Sequence, residues 1–286
     1  MTSEGKRVFG VVGNPIKNSI SPRIHHFWYD QLGLDAAYVP LELSDASPVA
    51  DLRALARAGF SGLNITLPYK AEALKAAEDQ SDLAVKLGAA NTLTRTDEMS
   101  GAPVWSAENT DITGFLWSFD QKKKPDTDEI VLIGAGGAAR AVAAGLASEG
   151  YKLIILNRTL ETAEKMIEAL ELPKARAFPL ETLDDFAAVS SVVVNTISLG
   201  HSGGALELPR NKGALFIDIS YGAAAEETLS NASLSGWEIL DGLPMLVGQA
   251  ADAFKIWFDI EPDRMAALKA SRQWTKTRET LEAAKP

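Results

Sequence analysis

Short apolar runs and amphipathic segments alternate along the whole chain. Apolar runs bounded by Gly, Pro or Asn are typical of buried strands, and segments opened by Ser-Pro or Asp and closed by Gly are typical of helices. The predicted strands cover residues 8–12, 37–43, 62–66, 91–95, 104–107, 131–133, 152–156, 192–194, 215–218 and 237–240. The predicted helices cover residues 22–32, 48–58, 68–78, 82–87, 112–119, 141–148 and 246–258, and a last one starts at Pro262. This alternation predicts α/β architecture with largely parallel sheets.

The most informative stretch is a glycine-rich turn that follows the apolar strand at residues 131–133. Its sequence, Gly134-Ala135-Gly136-Gly137-Ala138-Ala139, fits the dinucleotide-binding pattern G-x-G-x-x-A. Gly134 permits a tight turn, Gly136 lets backbone amides approach a pyrophosphate, and Ala139 lets the next helix lie close to the sheet. The N-terminus of that helix then directs its N–H groups and its positive dipole end at the phosphates. A purely structural turn is the alternative, which the flanking strand and helix disfavour.

The end of the following strand indicates which dinucleotide binds. An Asp or Glu at this point holds the ribose of NAD, and Asn157-Arg158-Thr159 stands in its place. Without an acid, a 2′-phosphate is not repelled, and the Arg158 guanidinium can bind it through paired hydrogen bonds. NADP is therefore favoured over NAD.

Composition limits the classes of protein to consider. The chain has 286 residues, enough for two domains, and its 46% hydrophobic and 23% charged residues are typical of globular proteins. It has no Cys, which excludes disulfides and thiolate metal sites. Neither a signal segment nor a membrane span is predicted, so a cytoplasmic location is expected. The net charge of −10 argues against nucleic acid or an anionic membrane as a partner.

Two charged residues at predicted helix starts are candidates for proton transfer. With Pro68 as the first helical residue, Lys70 lies in the first turn, where the helix dipole disfavours a cation and favours the neutral amine of a general base. Asp111 also lies at a predicted helix start. Each has an ordinary alternative, a surface lysine or an N-terminal capping acid. As a pair, they suggest a carboxylate that orients a lysine for proton exchange with a substrate hydroxyl.

Polar residues near predicted strand ends are candidates for binding a small ligand. Ser19 and Ser21 follow the first strand and can donate hydrogen bonds to a carboxylate, or they form only a turn and an N-cap. Four further polar residues lie at strand ends or on an apolar helix: Asn64, Thr66, Asn91 and Gln249. Strand ends are where α/β proteins bind ligands, although helix propensity alone can explain the last of the four.

The three histidines do not suggest a metal site. His25 and His26 are neighbours on one predicted helix and point in different directions, and His201 lies in a predicted loop. Helix-surface and loop positions are therefore predicted for them, and no bound metal is expected.

Taken together, these segments resemble the shikimate dehydrogenase family, which includes shikimate and quinate dehydrogenases, over nearly the whole chain. The matching stretches, in chain order, are Gly13-Asn14-Pro15, Ser19-Ile20-Ser21-Pro22, Asn64–Lys70, Gly88–Leu93, Asn109-Thr110-Asp111, Gly134–Ala138, Asn157-Arg158-Thr159 and Asp241–Ala250. Each stretch alone is weak evidence, but their order and spacing make the resemblance specific.

The resemblance implies two domains with the active site in the cleft between them. Residues 1–111 and 243–286 would form an α/β substrate-binding domain on which the C-terminal helices pack back. Residues 112–242 would form the NADP-binding domain, a Rossmann-type, doubly wound parallel sheet. The implied reaction is the reversible, NADPH-dependent reduction of 3-dehydroshikimate to shikimate in aromatic amino acid biosynthesis. The implied partners are these small molecules.

The resemblance also implies a role for individual residues. Lys70 and Asp111 match the catalytic pair. Substrate contacts are implied for Ser19, Ser21, Asn64, Thr66, Asn91, Tyr221 and Gln249. Cofactor contacts are implied for Gly134, Ala135, Gly136, Gly137, Ala138, Asn157, Arg158, Thr159, Ile219 and Gly242.

One departure from the family and two rival functions bear on this interpretation. Relatives often have a second basic residue after the position of Arg158, where this chain has Leu160 and Glu161, so Arg158 would hold the 2′-phosphate almost alone. An NAD-dependent quinate/shikimate dehydrogenase is the nearest rival, and Ser21 favours shikimate over quinate. A non-catalytic NADP-sensing regulator is the rival of another class, and the retained Lys70 and Asp111 argue against it. A monomer or a homodimer is expected.

Overall fold

The computed structural model describes residues 6–43, 46–97, 101–123, 126–199 and 203–283, with side chains up to residue 276. The chain divides into two compact units. The first contains the described residues of Met1–Asp111 and Val247–Ser271, and the second contains those of Ile112–Leu246 and Arg272–Pro286.

A six-stranded mixed sheet forms the framework of the first unit. Its elements, in chain order, are β1 (Arg7–Gly13), α1 (Ser21–Leu32), β2 (Ala36–Glu42), α2 (Pro48–Arg57), β3 (Gly62–Ile65), α3 (Lys70–Ala76), β4 (Asp79–Gln80), α4 (Asp82–Leu87), β5 (Thr92–Asp97) and β6 (Pro103–Glu108). The strand order is β2-β1-β3-β5-β6-β4. β1 is parallel to β2 and β3, whereas β5 is antiparallel to β3 and β6. The predicted parallel arrangement is interrupted here because β5 and β6 are consecutive and pair directly.

The register brings the ends of four strands to one edge of this sheet. Asn64 in β3 lies opposite Thr92 at the start of β5, which lies opposite Glu108 at the end of β6. β1 ends at the same edge, with Val12 opposite Ile65. The segments that follow β1, β3 and β6 and the residue that precedes β5 therefore meet along this edge.

An apolar core covers one face of the first sheet. Leu52 on α2, Leu63 in β3, Leu93 in β5 and Trp105 in β6 are all inaccessible to solvent. Trp105 Nε1 also donates a hydrogen bond to the Leu52 carbonyl at 2.7 Å. The sheet and α2 thus form the rigid support on which the shared strand edge is built.

The second unit is a doubly wound parallel sheet. Its elements are α5 (Asp111–Phe119), β7 (Glu129–Ile133), α6 (Gly137–Ser148), β8 (Lys152–Asn157), α7 (Leu160–Ala169), β9 (Ala175–Pro179), α8 (Leu183–Ala187), β10 (Val192–Asn195), β11 (Leu215–Asp218), α9 (Ala223–Leu234) and β12 (Glu238–Leu240). The strands lie in the order β12-β11-β10-β7-β8-β9, and all neighbours are parallel. Read from β9, this is the 3-2-1-4-5-6 order of dinucleotide-binding folds, which confirms the predicted Rossmann-type sheet.

The chain ends in α10 (Leu243–Phe258) and α11 (Arg264–Ala283). Within Val247–Ser271 these helices pack on the second face of the first sheet, where Trp257 Nε1 donates to the Leu93 carbonyl at 3.2 Å. Trp28 Nε1 of α1 donates to the Asp263 carbonyl at 3.1 Å. The predicted return of the C-terminal helices to the first domain is confirmed.

Four elements of the second unit are absent from the sequence prediction: α7, β9, α8 and α9. α7 is rich in charged residues and buries only Ala163 and Met166, and α8 is a single short turn of helix. β9 is an edge strand that ends in Pro179, and α9 consists mostly of small and polar residues. Each of the four buries little apolar surface, although α7 has an amphipathic pattern that the sequence prediction missed.

The predicted cap of the first helix is wrong by one position. Ser21 is the first residue of α1, and Ile20 occupies the cap position. The Ser21 hydroxyl lies 3.2 Å from the Ser19 hydroxyl, which donates to it. Ser21 is thus held by the loop before the helix and does not cap the helix.

The predicted start of the third helix is also early. Pro68 precedes α3, which begins at Lys70. Tyr69 lies between them with a buried ring, and its hydroxyl donates to the Leu43 carbonyl at 2.8 Å. The turn therefore serves to bury Tyr69, and Lys70 keeps its predicted place in the first helical turn.

None of the helices within the described residues has both the length and the apolar composition needed to cross a bilayer.

Candidate active site

Lys70 and Asp111 form a hydrogen-bonded ion pair at the shared edge of the first sheet. Lys70 begins α3 after the turn that follows β3, and Asp111 begins α5 just after β6. Lys70 Nζ lies 2.6 Å from Asp111 Oδ2, and the two side chains are only 13% and 6% exposed. Because β3 and β6 end at one edge, the fold brings this predicted pair together.

The backbone environment acts oppositely on the two charges. Both residues lie at helix N-termini, where the positive end of the helix dipole stabilises the carboxylate of Asp111 and disfavours the ammonium of Lys70. The ion pair with Asp111 offsets the unfavourable effect of the helix dipole on the Lys70 ammonium. Lys70 is thus held by its partner at a place where a cation alone would be disfavoured.

Asn91 fixes the second oxygen of Asp111. Its Nδ2 donates to Asp111 Oδ1 at 2.8 Å and to Thr110 Oγ1 at 3.0 Å. Its Oδ1 accepts the Thr110 N–H at 2.8 Å. One carboxylate oxygen therefore contacts Asn91 and the other contacts Lys70, so the orientation of the carboxylate is set by the protein itself.

Asn64 and Tyr38 extend this network into the sheet. Asn64 Nδ2 donates to the Asn91 carbonyl and to Thr92 Oγ1, both at 3.3 Å, and its Oδ1 accepts the Tyr38 hydroxyl at 2.7 Å. Burial raises the pKa of Tyr38, so its hydroxyl stays protonated and donates. The amides of Asn64 and Asn91, predicted as substrate contacts, are engaged in a hydrogen-bonded chain that ends at Asp111.

Gln249 joins the same network from α10. Its backbone carbonyl accepts the Thr110 hydroxyl at 3.0 Å. Its Oε1 lies 3.4 Å from Asn91 Nδ2. Gln249 is therefore located in the network that holds Asp111.

The remaining predicted substrate residues lie in two places. Thr66 follows β3, and Ser19 and Ser21 follow β1, so all three belong to segments at the shared edge of the first sheet. Ser21 is 4% exposed, and Ser19 is partly exposed. Tyr221 lies in the second unit, between β11 and α9.

The glycine turn after β7 has the backbone geometry that a dinucleotide requires. Gly134 has φ 110°, and a Cβ there would lie 2.5 Å from Thr196 Oγ1. Gly136 caps α6, and a Cβ at this position would meet no described atom within 4 Å. The first hydrogen bond of the helix runs from the Arg140 N–H to the Gly136 carbonyl. Open space thus faces N–H groups of the first turn, which fits a pyrophosphate.

The other predicted cofactor residues lie at the carboxyl ends of β8, β11 and β12. Arg158 and Thr159 are exposed directly after β8, and Asn157 Nδ2 donates to the Thr159 carbonyl at 2.9 Å. A Cβ on Gly242 would overlap the Ile219 carbonyl oxygen, so only glycine fits there. These residues lie where parallel α/β sheets bind ligands.

The structure corrects the predicted position of one histidine. His25 is fully buried, and its ring stacks on Tyr38 at 4.1 Å, so its predicted helix-surface position is wrong. α1 packs this side on β2 and α10. His26 is exposed, and its Nε2 accepts the Tyr38 N–H at 3.2 Å. His201 lies outside the described residues. Within the described ranges, no group of three or more His, Asp or Glu residues is arranged to hold a metal ion.

His25 makes the stability of the protein depend on pH. Burial, followed by the charge of His26, lowers the pKa of His25 from 6.5 to about 3. Between these values the unfolded chain binds a proton that the folded protein does not, so stability falls as the pH drops below 6.5. In urea unfolding between about pH 6 and pH 4, we expect the free energy of unfolding to fall about 1.4 kcal/mol per pH unit more steeply for the wild type than for His25→Phe. Equal slopes would rule out this role.

Four polar residues, two in the network around Asp111 and two at strand ends of the second unit, are not singled out as functional by the sequence prediction: Tyr38, Thr110, Asn195 and Asp218. The last two end β10 and β11, so the rule that selected Asn64, a polar residue at the end of an apolar strand, could have found them. Tyr38 lies inside a strand, and nothing in its sequence context marks it.

Three family models match successive parts of the chain. The model for the shikimate dehydrogenase substrate binding domain matches residues 11–93, and the model for shikimate / quinate 5-dehydrogenase matches residues 119–232. The model for the shikimate 5′-dehydrogenase C-terminal domain matches residues 242–270.

Individual relatives match over almost their whole length. The chain is 44% identical to a shikimate dehydrogenase (NADP(+)) of Hyphomonas neptunium, over 93% of this chain and 97% of that protein. Its structure is similar to that of shikimate 5-dehydrogenase from Thermus thermophilus in complex with NADP(H) and shikimate, with a TM-score of 0.78, 31% identity and coverage of 93% and 99%. It is also similar to quinate dehydrogenase from Corynebacterium glutamicum in complex with NAD, with a TM-score of 0.80, 27% identity and coverage of 94% and 99%.

Proposed function

The chain belongs to the shikimate dehydrogenase family, and on this basis we propose that it is an NADP-dependent shikimate dehydrogenase, which reversibly reduces 3-dehydroshikimate to shikimate in aromatic amino acid biosynthesis. The observation that carries the proposal is the ion pair of Lys70 and Asp111, 2.6 Å apart and largely buried. The relative from Hyphomonas neptunium bears the name of this activity, and the one from Thermus thermophilus was crystallised with NADP(H) and shikimate.

Lys70 manages the proton of the reaction. Reduction of a ketone adds a hydride to carbon and a proton to oxygen, and NADPH, when bound, supplies the hydride. The Lys70 ammonium gives its proton to the oxygen as the carbonyl becomes a hydroxyl. In the reverse direction, the neutral amine takes that proton from the hydroxyl. Asp111 remains a carboxylate and orients Lys70 in both directions.

The surroundings of the pair suit this role. Asn91 holds one oxygen of Asp111, so the other oxygen fixes the place of the Lys70 ammonium. A proton donor that is already in position lowers the entropic cost of reaching the transition state. Low exposure strengthens the electrostatic interaction of Lys70 with charge that develops on the substrate oxygen.

The side chains assigned to substrate binding carry polar groups that can form hydrogen bonds with the substrate. Shikimate is a small polyhydroxylated carboxylate, which hydroxyl and amide side chains bind well. We assign its recognition to Ser19, Ser21, Asn64, Thr66, Asn91, Tyr221 and Gln249. The hydroxyls of Ser19 and Ser21 are suited to the carboxylate. Asn64 and Asn91 act largely by holding Asp111.

NADP binding is assigned to the second unit. The residues that would hold it are Gly134, Ala135, Gly136, Gly137, Ala138, Asn157, Arg158, Thr159, Ile219 and Gly242. The open space at Gly136 and the N–H groups of α6 fit a pyrophosphate, and the exposed Arg158 side chain fits a 2′-phosphate. The first unit, with Lys70 and Asp111, holds all the residues assigned to the substrate except Tyr221. We further infer a cytoplasmic monomer or homodimer whose partners are these small molecules.

Initial rates test the proposed function. Purified protein is mixed with 3-dehydroshikimate and either NADPH or NADH, and the loss of the reduced-nicotinamide absorbance is followed. Oxidation of shikimate and quinate is measured in the other direction. We expect the fastest rates with NADPH and with shikimate. No oxidation of either cofactor would overturn the proposal, and faster reaction with quinate and NAD would favour the quinate rival.

The Arg158 guanidinium is expected to determine the preference for NADP. Arg158→Ala removes the charged hydrogen bonds to the 2′-phosphate, so KM for NADPH should rise about 10- to 100-fold, whereas KM for NADH should change less than about twofold. Arg176→Ala is the control, because Arg176 is an exposed arginine of the same unit that pairs with Glu129 at 2.9 Å. An equal rise in KM for the two arginine variants, or for the two cofactors, would show that Arg158 does not bind the 2′-phosphate.

A further inference from the structure

Two buried polar side chains lie side by side at the carboxyl edge of the second sheet, outside the machinery described above. Asn195 ends β10 and Asp218 ends β11, and the two residues are direct neighbours in the parallel register. Each is only 2% exposed. Asn195 Nδ2 donates to Asp218 Oδ2 at 3.0 Å. Burying an amide and a carboxyl group costs free energy unless their hydrogen bonds are made, so this pair calls for an explanation.

Each side chain also binds the loop that follows its own strand. Asn195 Oδ1 accepts the Ile197 N–H, and its Nδ2 donates to the Ile197 carbonyl, both at 3.1 Å. Asp218 Oδ1 accepts the Ser220 N–H at 2.8 Å. The side-chain bond between Asn195 and Asp218 therefore adds to the backbone bond from the Ile219 N–H to the Asn195 carbonyl, at 3.1 Å, in joining the two loops.

The first of these loops packs on the glycine turn. Thr196 Oγ1 donates to the Ile133 carbonyl at 2.6 Å. A Cβ on Gly134 would lie 2.5 Å from Thr196 Oγ1 and 3.0 Å from Ile197 Cγ2. The position of Thr196 and Ile197 thus sets the space in which the glycine turn can lie.

The second loop packs on the other predicted cofactor residues. The Gly242 N–H donates to the Ser220 carbonyl at 2.8 Å. Gly242 approaches the Ile219 carbonyl so closely that a Cβ would overlap its oxygen. Ile219 and Gly242, both assigned to NADP, therefore depend on where this loop is held.

Burial raises the pKa of Asp218, and the hydrogen bonds from Ser220 and Asn195 oppose this effect by stabilising the ionised form. A carboxylate accepts through both oxygens, so it can hold the Ser220 N–H and the Asn195 amide at the same time. An asparagine at the same place has only one oxygen and must lose one of the two bonds. Asp218→Asn, which hardly changes the shape of the side chain, should therefore weaken the connection between the two loops.

We propose that Asn195 and Asp218 are a positioning pair that joins the loops after β10 and β11 and thereby sets the affinity for NADP. The inference rests on the proposed NADP-dependent function and adds two residues to it, neither of which is assigned a cofactor contact. The pair acts through the backbone of Thr196, Ile197 and Ile219.

Direct binding measurements test this role. The dissociation constant for NADPH is measured by fluorescence titration for the wild type, Asp218→Asn, Asn195→Ala and the exchanged double variant Asn195→Asp/Asp218→Asn. The free energy of unfolding is measured in urea for each. Thr228→Val is the matched control, because Thr228 is a buried polar residue of the same unit whose Oγ1 accepts the Leu206 N–H at 3.1 Å, farther along the connection between β10 and β11 than Thr196 and Ile197.

If the pair positions the loops, the two single variants should lose more NADPH affinity than their loss of stability explains. Asp218→Asn and Asn195→Ala should weaken NADPH binding about tenfold, because each removes a hydrogen bond that joins the loops. The exchanged variant restores a carboxylate–amide pair and should recover affinity to within about threefold of the wild type. Thr228→Val should lose stability and keep its affinity.

Two outcomes would overturn the role. One is unchanged NADPH affinity in both single variants, and the other is a loss of affinity that simply follows the loss of stability, as Thr228→Val would then also show. If the exchanged variant does not fold, the role is judged from the two single variants, by comparing their loss of NADPH affinity with their loss of stability. A wild-type protein that reduces 3-dehydroshikimate while both single variants bind NADPH normally would refute the pair alone, whereas a wild type that binds no NADPH would refute the proposed function.

Discussion

Lys70→Ala is expected to lower kcat by about a thousandfold while KM for 3-dehydroshikimate changes less than about threefold. The variant removes the group that gives a proton to the substrate oxygen, which is needed in the transition state and contributes little to binding the ground state. Asp111 keeps its bond to Asn91, so the carboxylate stays in place. Steady-state rates with saturating NADPH provide both constants.

Lys75→Ala is the control for this variant. Lys75 lies on the same helix, α3, with its side chain exposed, so its loss should leave kcat unchanged. Removing one member of a buried ion pair also destabilises a protein. Circular dichroism and urea unfolding of Lys70→Ala therefore verify that the rate is measured on folded protein. A kcat within a few fold of the wild type would exclude Lys70 as the proton donor.

Gly136→Ala is expected to weaken NADPH binding about 10- to 100-fold without unfolding the protein. The backbone of Gly136 is extended, at φ −82° and ψ −172°, and a Cβ would meet no described atom within 4 Å. The folded protein therefore accommodates alanine, with stability within about 1 kcal/mol of the wild type. The added methyl group occupies the space assigned to the pyrophosphate and blocks its hydrogen bonds to the backbone.

Fluorescence titration with NADPH and urea unfolding check this prediction together. Ser148→Ala is a suitable control, since Ser148 lies at the far end of the same helix and its hydroxyl donates to the Gly145 carbonyl of its own turn at 2.7 Å. Normal NADPH affinity in Gly136→Ala would mean that the phosphates bind elsewhere. Loss of folding would mean that the space at Gly136 is needed by the protein itself.

The sequence predicts the strands well where burial makes them continuously apolar. β7, β8 and β10 lie inside the sheet and almost all their residues are buried, so they form apolar runs that stand out from the flanking turns. β9 and α9 lie at the margins of the same unit and bury less, and the sequence pattern misses both. Secondary structure is thus predictable here to the extent that burial is extensive and regular.

The candidate site is predictable only in part. Lys70 and Asp111 are marked by their places at helix starts, but nothing in the sequence fixes the register that brings β3 and β6 to one edge. The engagement of Asn64 and Asn91 with the protein depends on contacts from Tyr38 and from the segment before α5, which are distant in sequence. The same holds for His25, whose burial results from packing between α1, β2 and α10.

A single-turnover experiment is the most direct test of Lys70 as the proton donor. Protein preloaded with NADPH is mixed in a stopped-flow instrument with saturating 3-dehydroshikimate, and the nicotinamide absorbance is followed for the wild type and for Lys70→Ala. We expect rapid, complete oxidation by the wild type and a rate about a thousandfold lower for the variant. Superimposable traces for the two proteins, or no oxidation by the wild type, would contradict it.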